Sequence, residues 1–203
     1  MESHVTEIQS ILNGGKGERE IHAYLKSHPR LVAEAFCPRH ATARVVSEFE
    51  LGNEFRADFM AGVPMSGGWF ISLIELESVD AALFTKDGVP AKSLNHAMTQ
   101  LLDWRRYEDR QKGYLIEQIA RAFRERDLYI PDREDPEPYC SAGLRMSDPN
   151  CIIGILHKIM IGRRHDLTEE QLSRKVSLSK RSGIEIRTYD HLLESARYFR
   201  DDF

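Results

Sequence analysis

Cysteine is scarce in this 203-residue chain, and the three present (Cys37, Cys140, Cys151) are odd in number and lack metal-type spacing. That excludes a disulfide scaffold and a cysteine zinc site, and points to a reduced, intracellular, cytoplasmic protein. No apolar run approaches the roughly 20 residues of a membrane span. The start, MESHVTEIQSILNGG, has neither the basic opening nor the apolar core of a secretion signal. Excess positive charge is missing too: the formal net charge is −4, so composition alone does not announce a nucleic-acid partner. No glycine-rich phosphate loop, dinucleotide fingerprint or Ser-His-Asp order occurs, and no organic cofactor is expected. The histidines lack zinc spacing, so His22 and His96 read as ordinary helix residues.

What is present describes one globular domain. Apolar residues make up 41% and charged residues 30% of the chain, and the length suits a single domain better than two. Charge is uneven: residues 151–203 carry 10 Lys and Arg against 8 Asp and Glu, while the rest is acidic. A short helix is expected near 5–12, ending at Gly14-Gly15, followed by a longer one over 16–35 that Pro29 breaks or kinks. ARVVSEFELGNEFRADFMAG reads as a β-hairpin turning on Gly52-Asn53. Its second strand should place Glu54, Arg56, Asp58 and Met60 on one face. The strand FISLIELES follows across GVPMSGG and completes an antiparallel meander.

A helix from about Ser93 should bury Leu94, Ala97, Leu101 and Trp104 or Arg105, with Gly113 interrupting it and a second helix continuing. The Pro-rich segment 131–150 reads as a loop within the domain. CIIGIL is a short, continuously apolar strand, and Thr168 with Gln171 forms a capping box for a helix that stops at Gly183. IEIRT is a further strand, and Asp190 is placed to cap the last helix. Strand, helix, strand in that order means parallel pairing. The expected fold class is therefore α/β, a mixed sheet of antiparallel meander plus parallel βαβ unit, flanked by helices.

Glu75 and Glu77 stand two apart on the apolar-starting face of FISLIELES, and Asp58 lies on the neighbouring strand. Carboxylates so placed raise each other's cost of ionisation unless a cation offsets it, and Mg²⁺ or Mn²⁺ suits oxygen ligands. Acids at i and i+2 of a strand also commonly just face solvent, and the residues alone leave both readings open.

Several stretches taken together resemble the nuclease domain of the Shedu anti-phage defence family, part of the PD-(D/E)xK superfamily: EREIHAYLKSHPRLV, ELGNEFRADFMA, FISLIELES, LFTKDG with HAMTQLLDWRRY, and IMIGRR with EIRTYDHLLESAR. The resemblance implies a restriction-endonuclease-like domain over 16–203 after a lead segment 1–15. It implies a divalent-metal-dependent endonuclease acting on DNA. Asp58 and Glu75 match the metal-binding acids, Glu18 (with Glu20 as rival) the helix acid, and Gln100 a glutamine of the following helix. Glu77 stands where the family pattern has lysine. A glutamate cannot supply lysine's charge, but it can serve as a base or as a further metal ligand, and some restriction endonucleases cleave with this substitution. The alternative is a nuclease-fold module without catalysis that senses DNA ends or binds a protein partner. Arg163, Arg164 and His165, clustered with His157 after CIIGIL, and Lys175, Lys180 and Arg181 on the next helix could position DNA. Equally they could form a solvated face balanced by Asp166, Glu169 and Glu170. A homo-oligomer is compatible with a nuclease that must cut two strands.

Overall fold

The computed structural model describes residues 4–14, 17–37 and 42–198. Its chain order is α1 (His4–Asn13), α2 (Glu18–Ser27), α3 (Pro29–Phe36), β1 (Arg44–Leu51), β2 (Phe55–Met65), β3 (Gly68–Leu76), α4 (Lys92–Glu125), β4 (Ile152–Met160), α5 (Glu169–Ser182), β5 (Ile184–Arg187) and α6 (Asp190–Tyr198). The five strands form one sheet in sequence order; β1–β2 and β2–β3 are antiparallel, β3–β4 and β4–β5 parallel. The mixed sheet flanked by helices is the expected one.

Strand alternation produces two hydrophobic layers. On β3, Trp69, Ile71 and Leu73 pack with Leu94, Leu101, Trp104 and Phe123 of α4, whereas Ile74 and Leu76 pack with Ile8 of α1, Ile21 and Leu25 of α2, and Leu192 of α6. Helix α4 presents Leu94, Ala97, Leu101 and Trp104 at spacings of three and four, so one stripe of the helix covers the sheet. Gly68 begins β3 beside β4 so closely that a Cβ there would lie 1.8 Å from the Ile152 carbonyl oxygen.

Pro29 does break the first long helical segment. It sits at the start of α3, and His28 before it is held outside helical geometry (φ −129°, ψ 62°). Thr168 and Gln171 form the capping box of α5, and Gly183 ends that helix in the left-handed region at φ 65°. The Pro-rich segment belongs to the domain: Cys140, Met146 and Cys151 are buried, and the Arg44 guanidinium donates to the carbonyls of Phe123, Pro136 and Glu137.

Four local expectations need correction. The hairpin loop is one residue longer than Gly52-Asn53, because Leu51 pairs with Phe55 and Glu54 joins the turn. Helix α4 is, as expected, two helical stretches, but they join at a kink at Gln111 (φ −130°, ψ 29°) and not at Gly113. The strand begun by CIIGIL extends to Met160, so His157 is buried within β4 rather than clustered with the arginines beyond it. Asp190 is the first residue of α6 and not the residue before it, and its carboxylate accepts from the Arg164 backbone N–H and the Arg163 guanidinium as well as from its own backbone N–H.

Candidate active site

The meander is not regular where the site lies. Ladder pairs Ser47–Phe59 and Phe49–Ala57 flank Glu48 and Asp58, and Glu48 takes φ 51°, the left-handed region. Val46 and Phe49 lie in the same hydrophobic layer although three residues apart, and so do Ala57 and Met60. Both strands thus change face across Glu48 and Asp58 without a change of register. Asp58 consequently does not share a regular face with Arg56 and Met60, as simple alternation would have it.

Asp58 instead reaches β3. Its Oδ2 accepts the Leu76 N–H at 2.8 Å, and its Oδ1 lies 3.9 Å from His22 Nε2 on α2. The β2–β3 register, with Phe59 opposite Ile74, leads on to Asp58 beside Glu75. Glu75 points toward α4, where Gln100 Nε2 donates to its Oε1 at 2.9 Å. Glu77 follows the end of β3; its N–H donates to the Met160 carbonyl, and its carboxylate lies 3.8 Å from His96 Nδ1 on α4. Glu18, at the first turn of α2, is the helix acid that couples to the other three.

Burial and mutual repulsion act together on this group. Glu75 is pushed up to about 9, first by burial and then by Asp58 and Glu77, against the stabilising Gln100 bond. Asp58 is raised chiefly by burial, opposed by the Leu76 N–H and His22. Glu18 is raised by burial and then Asp58; Glu77 by burial and then Glu18. The groups that oppose these shifts are His22 and Arg19 at Glu18, His22 and Arg56 at Asp58, and His96 at Glu77. The buried lysine of β4, Lys158, is committed elsewhere: its amine donates to the Phe36 carbonyl at 2.9 Å and pairs with Glu185 at 3.1 Å.

The acids suit a hard divalent ion chemically, since every donor is a carboxylate oxygen and a dication would offset the repulsion that holds their affinities for protons up. Asp58 and Glu75 each have one oxygen fixed by an N–H donor and a second directed elsewhere, the usual arrangement of a ligand oriented from behind.

The family model described as Shedu protein SduA, C-terminal, matches residues 15–193, most of the chain. The chain belongs to the Shedu family. That membership points to a role in anti-phage defence. No curated protein matches the chain. Among the described residues, no helix of this Shedu chain is long and apolar enough to cross a membrane.

The basic candidates divide among separate places. Arg164 and Lys175 line a cleft of about 470 Å³ with Arg187, His191 and the acids Glu185, Asp190 and Glu194. Arg163 is engaged by Asp190, His165 lies 3.3 Å from Asp166, and Lys175 donates to the Ile186 carbonyl while burial lowers its proton affinity. Lys180 and Arg181 are exposed, and Arg181 lines a different cleft with Arg174 and Val89. The first cleft sits at the same end of the sheet as the acids, because Leu76, Met160 and Arg187 lie in one row across β3, β4 and β5.

Tyr189 was not legible as a site residue. It is fully buried, its hydroxyl donates to the Glu77 carbonyl at 2.7 Å, and burial with the nearby acids holds its phenol well above the usual range. Its only sequence cue is its place just before the final helix. His22 likewise read as an ordinary helix residue, yet it faces Asp58.

Proposed function

We propose that this Shedu domain is a divalent-metal-dependent DNA nuclease of the PD-(D/E)xK type, acting in anti-phage defence. The observation that carries the proposal is the coupling of Glu18, Asp58, Glu75 and Glu77 at one end of the sheet, with Glu75 held up to about 9. A purely structural role gives no reason to gather four acids, three of them half-buried and one exposed, where each raises the others' cost of ionisation. Asp58 and Glu75 are the residues to hold Mg²⁺ or Mn²⁺, which when bound supplies Lewis acidity and an activated water.

Gln100 fixes the Glu75 carboxylate, and the Leu76 N–H fixes Asp58, so both present set oxygens. Glu77 follows the end of β3, beside His96 of α4. There it can accept a proton from the attacking water or add a ligand oxygen. Glu18 orients the opposite side from α2. On this reading Arg164, Lys175 and Arg187, in a cleft they share with Glu185, Asp190 and Glu194, would contact the DNA backbone, through phosphate contacts that position without reading sequence.

The test is cleavage of plasmid and linear DNA with Mg²⁺ or Mn²⁺, comparing the wild type with Asp58→Ala and Glu75→Ala. Metal-dependent cleavage abolished by both substitutions is expected; equal cleavage by the variants refutes the assignment.

A second reading is favoured by one feature, Glu77 where the family pattern has lysine. On that reading the domain binds DNA ends or a partner without cutting. Salt-sensitive DNA binding that is indifferent to metal, with no cleavage, distinguishes it.

A further inference from the structure

A second group of metal-capable side chains lies away from the strand carboxylates, where the first three helices meet. His4 and Glu7 stand one turn apart on α1, on the same face of that helix. His28 occupies the break between α2 and α3, where Pro29 keeps it out of helical geometry and its N–H donates to the carbonyls of Tyr24 and Leu25. One ligand atom from each of His4, Glu7 and His28 lies within 4.8 Å of the others.

Tyr24 supports both rings. Its carbonyl is 2.9 Å from His28 Nδ1, and its hydroxyl is 2.8 Å from His4 Nδ1. The His4 and His28 ring centroids are 4.9 Å apart, and the Tyr24 ring lies 4.3 Å from that of His28. A ring whose Nδ1 is held by a carbonyl presents Nε2 to a metal, the usual way in which a ligand histidine is fixed.

We propose that His4, Glu7 and His28 form a zinc site that clamps α1 to the junction of α2 and α3. Two imidazoles and one carboxylate are a donor set that suits Zn²⁺, with water completing four-coordination. Tetrahedral zinc spaces its ligand atoms about 3.3 Å apart, so small side-chain rotations close the observed trio around the ion. The clamp holds the C-terminal end of α2, the helix whose first turn carries Glu18. It uses none of the nuclease acids and does not depend on that reading.

The experiment uses the full chain, stripped of metal and carrying Asp58→Ala and Glu75→Ala so that the strand carboxylates do not compete. Calorimetric titration with Zn²⁺ should show one ion per chain, and Co²⁺ in its place should give the intense visible bands of tetrahedral coordination. In that background His4→Ala, Glu7→Gln and His28→Asn should each weaken binding at least tenfold and abolish the cobalt bands. Zinc should also raise the melting temperature of the parent but not of these variants. His4 and Glu7 lie near the start of α1, so those two variants decide the matter if the His28 variant does not fold. Absence of stoichiometric zinc binding, or binding unchanged by His4→Ala and Glu7→Gln, overturns the proposal.

Discussion

Replacing Glu75 with glutamine should make the metal-free protein more stable while abolishing metal-dependent cleavage. The glutamine keeps the shape of the side chain and an Oε1 that can accept from Gln100, but removes the charge that Asp58 and Glu77 oppose. In the folded chain the Glu75 carboxyl is raised from 4.5 to about 9, so the folded state keeps a proton that the unfolded state gives up. The stabilising contribution of that proton is therefore complete below about 4.5 and is lost progressively as pH rises toward about 9. The interval from 4.5 to pH 7 corresponds to about 3 kcal/mol at most, since Asp58, Glu77 and Glu18 relax as well.

For a chain of this size, a difference of that order moves the melting temperature by roughly 6–12 °C. The assay is urea or thermal denaturation of wild type and Glu75→Gln in EDTA, from pH 5 to pH 9. The gap between them should be small at pH 5 and widen to pH 9, and added Mg²⁺ should narrow it by stabilising only the wild type. Superimposable stability profiles across that range would refute the claim that Glu75 is held in an unfavourable, charge-crowded place.

Gln100→Leu should leave folding intact but reduce Mg²⁺ affinity or cleavage about 10- to 100-fold, because it removes the donor that orients Glu75; metal titration and initial rates read this. Tyr189→Phe should cost about 1 kcal/mol in denaturant unfolding through loss of its bond to the Glu77 carbonyl. Trp104→Ala should cost about 3–5 kcal/mol, since this fully buried ring fills the layer between α4 and the sheet. Gly68→Ala should destabilise more than an ordinary surface change, because the nearest obstacle is the Ile152 backbone and not a mobile side chain; a melting temperature within about 2 °C of wild type, the size of an ordinary surface effect, would contradict that.

Much of the fold is written locally. Apolar alternation, the capping box at Thr168 and Gln171, the glycine that ends α5, and the strand–helix–strand order required a mixed sheet, because side-chain period and turn chemistry depend on near neighbours in sequence. The proximity of Asp58 to Glu75 followed from antiparallel pairing for the same reason. Tertiary packing decided what those residues experience. It removed Glu48 and Asp58 from the regular ladder, set Gln100 against Glu75 across 25 residues of sequence, and carried Tyr189 under Glu77 from the far end of the chain. It buried His157 in β4, and it brought His4 to His28 around Tyr24. Burial and the crowding of like charges are properties of the assembled fold. The identities of the acids could therefore be read from the sequence, while the strain on their charges could be read only from the structure.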